Sequence, residues 1–163
     1  MTYHRTGDIF DQPDVNVILH NCNLHHVWGA GIVVPMKAKY PEAFEADLRT
    51  PKDDPSKLGT FSRATGQDGR IIINIYAMPR LGAFSYDAFL SALTSVKNGL
   101  HNFNKRNCQS KEKILGIPYG IGCGLAGGCW TATEALIRKV FDVSEDYPVT
   151  CVICKRPQDP ILN

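Results

Sequence analysis

Short unbroken apolar runs alternate along this chain with longer apolar stripes. Residues 15–20 and 71–77 are nearly continuous in branched and apolar side chains, the pattern of strands covered on both faces. Residues 2–6, 113–115 and 147–155 read as further strands, and residues 58–64 as a short one that a turn at 67–69 joins to 71–77 in a hairpin. Between them lie helical stripes with a 3–4 residue spacing. Tyr86, Phe89, Leu90, Leu93, Val96 and Leu100 make one; Trp130, Thr133, Leu136, Ile137, Val140 and Phe141 make another. Ser85 is the natural N-cap of the first. A helix beginning near Gly31 carries Ile32, Met36 and Tyr40 on one face and tolerates Pro35 only within its first turn. Pro41 ends it and opens another over 42–49. Residues 50–57 and 102–113 read as polar connectors, and residues 156–163 as a frayed tail.

Strands alternating with helices predict an α/β fold, three layers α/β/α, with a central mixed, largely parallel sheet. In such sheets ligands bind beyond the carboxyl ends of the strands. Residues 7–8, 20–31, 77–82 and 120–128 all follow strands, so they are expected to meet at one end of the sheet.

The stretch 116–128 holds six glycines in thirteen residues. Ordering so many glycines is entropically costly. Turning several backbone N–H groups onto one anion, beside the N-terminus of the helix that starts at Trp130, would justify it. A flexible linker is the alternative, but Ile117, Tyr119, Ile121 and Leu125 supply anchors that linkers lack. The stretch lacks the lysine and hydroxyl of a P-loop, and its spacing is wrong for the first turn of a dinucleotide fold.

The 163 residues suit one domain over 1–155 with a tail over 156–163. A net charge of +2 excludes a strongly basic nucleic-acid surface. No apolar run approaches the roughly 20 residues of a membrane span, and the first residues do not form a leader. The six cysteines (22, 108, 123, 129, 151 and 154) read as reduced thiols of a cytoplasmic protein. Cys151 and Cys154 lie in a strand pattern, where residues three apart face opposite ways, so no metal site is expected from them. No cofactor is implied.

At these residues the chain resembles a macro domain, the ADP-ribose-binding fold. Gly7, Asp8 and Ile9 match the family's opening motif. His20-Asn-Cys-Asn23 followed by Trp28-Gly-Ala-Gly31 matches its first ligand loop, and Pro118 to Leu125 its second. The likeness covers nearly the whole chain. It is strongest to the branch of ADP-ribose 1''-phosphate phosphatases and the related ADP-ribosylglutamate hydrolases.

The resemblance implies a set of roles. Asp8 accepts from the adenine amine, with Gly7 and Ile9 beside it; Asp8 as a turn cap is the plainer reading. Gly29, Ala30, Gly31 and Ile32 line the distal ribose and phosphate. Tyr119, Gly120, Ile121, Gly122, Cys123, Gly124 and Leu125 wrap the diphosphate. Trp28 packs on the distal ribose or, alternatively, in the core. His20, Asn21 and Asn23 form the catalytic group. His20 ends its strand facing the distal ribose as base, acid or nucleophile, unless it is hydrogen-bonded within the fold. His25 and His26 are weaker candidates. Cys123 either has a lowered pKa among loop amides or is a small packing residue.

Relatives that cut protein-linked ADP-ribose carry a loop lysine and an aspartate after the second loop. Here those places hold Arg80 and Ala126. The expected activity is therefore hydrolysis of ADP-ribose 1''-phosphate to ADP-ribose and phosphate, without a metal. The alternatives are a non-catalytic binding module for ADP-ribose or a related nucleotide, and a hydrolase removing ADP-ribose from protein or nucleic acid. Nucleic acid is expected only as such a modified substrate, no membrane is expected as a partner, and the chain is expected to be a monomer.

Overall fold

A computed structural model describes residues 1–107, 112–144 and 146–163. Cys108 and the 108–111 part of the expected polar connector lie outside the described residues. The strands are β1 (Thr2–Thr6), β2 (Val17–Asn23), β3 (Phe61–Thr65), β4 (Ile71–Met78), β5 (Ile114–Pro118) and β6 (Thr150–Lys155). The α-helices are α1 (Val33–Lys39), α2 (Pro41–Leu48), α3 (Tyr86–Arg106) and α4 (Trp130–Phe141). Single 3-10 turns occupy Ile9–Asp11 and Pro55–Lys57.

The strands form one sheet in the order β1-β6-β5-β2-β4-β3. All neighbours pair in parallel except β3, which returns antiparallel along β4. Side-chain alternation then feeds two cores. Val17, Leu19, Ile73, Ile75, Leu115, Ile117 and Ile153 pack under α3 and α4. Ile18, Cys22, Ile72, Tyr76 and Val152 pack under α1, α2 and the Ile9 turn. Cys151 joins the first core and Cys154 the second, so the pair does face opposite ways. Among the described residues no group of three His, Cys, Asp or Glu could hold a metal, and no helix is long and apolar enough to cross a membrane.

The local signals act as their chemistry dictates. Ser85 Oγ accepts from the Ala88 amide at 3.2 Å and caps α3. Pro41 stands in the first turn of α2, and Pro35 in the first turn of α1. Several boundaries differ from expectation: β3 is Phe61–Thr65, β5 runs on to Pro118 and β6 begins at Thr150. Strand β2 runs to Asn23 rather than ending at His20, because its pairing with β4 continues through Cys22 opposite Tyr76. Helix α3 runs on to Arg106: Leu100 and Asn104 are buried, and Lys105 and Arg106 complement the helix C-terminus.

The tail is not frayed. The Leu162 amide donates to the Tyr119 hydroxyl at 2.9 Å, and the Asn163 carbonyl accepts from the Trp130 amide at 3.0 Å. Leu162 also packs against the core beneath α3 and α4.

Candidate functional site

Because five strands run parallel, their carboxyl ends share one edge of the sheet. The loops that leave them enclose a cleft of about 1000 Å³. The β1 loop gives Asp8, Ile9 and Phe10; the β2 strand end and loop give Asn21, Asn23, Val27 and residues 29–33. The β4 loop gives Met78, Leu81 and Gly82, the β5 loop residues 118–122 and 124–126, and the segment after β6 gives Arg156 and Asp159. Ala30 and Ile121, from the two glycine-rich loops, thus face one space. Neighbouring strands lie about 4.8 Å apart, so the cleft extends roughly 19 Å from the β1 side to the β4 side.

Its walls include several backbone amides that are left unpaired. Among the described residues, the amides of Gly29, Ala30, Gly31 and Ile32 donate to no protein acceptor, nor do those of Gly122, Gly124 and Leu125. The β5 loop is stiffened from within. Gly120 and Gly122 take φ of 72° and 76°, where an L side chain is strained. A Cβ on Gly122 would stand 2.4 Å from the Phe84 ring. The β2 loop is more open: a Cβ on Gly29 or Gly31 would meet nothing within 4 Å, though Gly31 too takes a positive φ, 72°.

Asp8 is half-buried at the β1 end. Its Oδ1 accepts from the Phe10 amide at 3.0 Å and caps the Ile9 turn, so the capping role and the cleft-lining role coexist. Asn21 stands in the middle of the floor. Its Oδ1 accepts from the Ala77 amide at 3.2 Å, while its buried Nδ2 has no partner. Asn23 is spent on its own loop: Nδ2 donates to the Val27 carbonyl, and Oδ1 accepts from the His25 and Val27 amides.

Four expected site residues lie away from the cleft. His20 is fully buried and does not line it. Strand β2 continues past His20, so alternation turns the imidazole toward α2, where Nε2 donates to Asn74 Oδ1 at 2.6 Å. Burial pushes its pKa down to about 4 against a smaller opposing effect of the Asn74 hydrogen bond. Trp28 is buried as well. Its Nε1 donates to Asp47 Oδ2 at 2.8 Å, and its ring meets His20 and Phe44 edge-on. Cys123 donates to the Ile121 carbonyl beside Thr133, and burial pushes its thiol up rather than down. Gly7 takes φ of 128° and ties β1 to the Lys155 carbonyl.

The N-terminus of α4 also misses the cleft. The Cys129 amide donates to the Tyr86 hydroxyl at 2.8 Å, and the Trp130 amide is taken by Asn163. His25 pairs with Asp53, and His26 lies against Thr50. Arg80 is exposed and does not line the cleft; Ala126 does.

The sequence reading missed Arg156 and Asp159. Arg156 Nε and Nη2 donate to Asp159 Oδ1 at 3.0 and 2.7 Å, and the Arg156 amide donates to Oδ2 at 2.9 Å. The signal available was their place just beyond the end of a parallel strand. Together with Asp8 they are the charged side chains of the lining among the described residues. All three stand on the β1–β6 side. The β2–β4 side has the exposed apolar Val27, Leu81 and Leu125 instead.

The architecture is shared with solved macrodomains. The macrodomain of Mycobacterium tuberculosis DarG superposes with a TM-score of 0.77 at 20% identity, over 98% of this chain and 99% of that one. Thermosipho africanus DarTG, solved in complex with ADP-ribose, superposes with a TM-score of 0.71 at 18% identity, over 95% of this chain and 41% of that one. The chain therefore has the macrodomain α/β/α fold. A 38-residue segment, 23% of this chain, is 50% identical to an ADP-ribose 1''-phosphate phosphatase of Aspergillus clavatus. That match spans 19% of the phosphatase's length. No protein-family model matches the chain.

Proposed function

We propose that the cleft binds ADP-ribose and that the protein hydrolyses ADP-ribose 1''-phosphate to ADP-ribose and phosphate. The observation that carries the reading is the convergence of unpaired amides from residues 29–32 and from Gly122, Gly124 and Leu125 on one cleft, with Asn21, whose Nδ2 has no partner, in its floor. The short match to the Aspergillus phosphatase supports the choice of substrate.

In this reading the adenine lies at the β1 end, with its amino group donating to Asp8. Amides of the β5 loop hold the diphosphate. The distal ribose then reaches Asn21, and the 1''-phosphate meets the amides of residues 29–32. Water attacks phosphorus, the bond from phosphorus to the 1''-oxygen breaks, and that oxygen leaves with a proton given up by the attacking water, whose oxygen stays on the phosphate. Fixed amides aimed at the phosphoryl oxygens stabilise the charge that builds there. Binding energy from the adenine half orients the far end. His20 takes no part in proton transfer and acts through the fold.

Purified protein incubated with ADP-ribose 1''-phosphate should release phosphate, and Asn21→Ala should slow release about 100-fold. No release by a protein that binds ADP-ribose would leave a binding module. A second reading, removal of ADP-ribose from a macromolecule, is favoured by the uncharged, apolar rim of Val27, Leu81 and Leu125. Release of ADP-ribose from modified protein or DNA, with no phosphate from the small substrate, would select it.

A further inference from the structure

Beneath the β2 loop lies a connected set of polar groups, buried except for half-buried Ser62, that the chemistry above does not use. His20 Nε2 donates to Asn74 Oδ1, and Asn74 Nδ2 donates to Ser62 Oγ at 3.0 Å. The Ser62 and Tyr76 hydroxyls lie 2.8 Å apart, and the Tyr76 hydroxyl donates to Asp47 Oδ1 at 2.8 Å. From the other side the Trp28 indole donates to Asp47 Oδ2, and its ring rests edge-on against His20, 5.1 Å between centroids. With Ser62 donating to Tyr76, a chain of donors runs from His20 to Asp47, and Asn74 Nδ2 also donates to the Ala43 carbonyl at 2.8 Å. The carboxylate is fully buried, and Lys57 Nζ, also buried and without a hydrogen bond, stands 3.7 Å away.

Trp28 immediately precedes Gly29. In the loop that follows, a Cβ on Gly29 or Gly31 would touch nothing, and it is Ile32, at the far end, that packs on the core. A segment so sparsely packed is located by its ends. Its far end is α1, through buried Val33 and Met36. Its near end is the indole, and the indole is hydrogen-bonded to Asp47.

We infer that Asp47 is a positioning residue for the β2 loop: by fixing Trp28 it sets the amides of residues 29–32 on the cleft. The inference rests on the reading of those amides as ligand donors. Asparagine at 47 keeps the shape but removes the carboxylate: the Trp28 indole is left with a neutral carbonyl, and only if the Tyr76 hydroxyl reverses to accept from the new amide.

The test compares Asp47→Asn with Trp28→Phe and Tyr76→Phe, each checked for cooperative unfolding. Calorimetry with ADP-ribose and with AMP separates the two ends of the cleft, because AMP lacks the distal ribose. Asp47→Asn and Trp28→Phe should each weaken ADP-ribose at least tenfold and leave AMP within twofold. Combining them should add little, as expected for groups acting through one contact. Tyr76→Phe removes a donor that does not lead to the loop, so it should lower the melting temperature with the ADP-ribose to AMP ratio unchanged.

Amide exchange of residues 29–32 in the free protein supplies a readout that needs no ligand; it should quicken in Asp47→Asn and Trp28→Phe but not in Tyr76→Phe. Unchanged exchange, or equal losses for both ligands in all three variants, overturns the inference. Failure of the unaltered protein to bind ADP-ribose overturns the functional reading, and loop exchange then still decides the positioning role.

Discussion

At the scale of single residues, His20 shows how a functional expectation turns on one strand boundary. A strand ending at residue 20 would point its last side chain at the ligand; a strand ending at Asn23 buries it in the sheet face. The same extension brings Asn21 to the floor. The buried imidazole is neutral, and this has a measurable consequence. Above about pH 6.5 neither folded nor unfolded His20 carries the proton, so the group adds no pH dependence. Below that the unfolded chain binds it first, and stability falls until the folded pKa of about 4 is reached. The loss amounts to roughly 3 kcal/mol across that window. Urea titrations between pH 7 and pH 4 should show the slope, and His20→Gln should flatten it. An unchanged slope in the variant would place the proton elsewhere.

At the scale of elements, the two glycine-rich loops are built on different principles, and substitution separates them. Gly122→Ala puts a methyl group into the Phe84 ring at a positive φ; it should cost roughly 2–4 kcal/mol of stability, measured by denaturant melts without ligand. Gly29→Ala meets nothing and should stay within about 0.5 kcal/mol of the parent, while its methyl group, facing the cleft, lowers ADP-ribose affinity about tenfold. Equal melts for the two variants would refute the distinction.

The elements themselves were largely legible. The apolar run of β4, the Ser85 cap, the Pro35 and Pro41 positions and the stripe from Trp130 to Phe141 each encode their structure locally. The rest depends on partners distant in sequence. Nothing near Trp28 announces Asp47, 19 residues on, and Asp47 reads as one more surface acid on a short helix. Likewise residues 156–163 hold two prolines and several polar side chains, and it is contact with Tyr119, Gly120 and Trp130 that holds their far end in place. The cleft was legible as a meeting of loops; which side chains turn into it was not.

At the scale of the whole molecule, the two cores lie on opposite faces of one sheet, and the cleft draws on five of its strands. Binding is therefore linked to global unfolding. ADP-ribose at 100 times its Kd should stabilise the protein by about 2.7 kcal/mol, a rise of roughly 5–10 °C in Tm for a domain of this size. A thermal melt with and without the ligand measures it, and no shift at saturation would mean that the ligand binds the unfolded chain equally well.

Asp8 and Asp159 stand 151 positions apart in the chain (159 − 8) yet line one cleft. On a growing chain the Asp8 end of the cleft thus has no second wall until β6 and the segment after it have been made. A chain halted before β6 would hold both glycine-rich loops yet leave the Asp8 end of the cleft open.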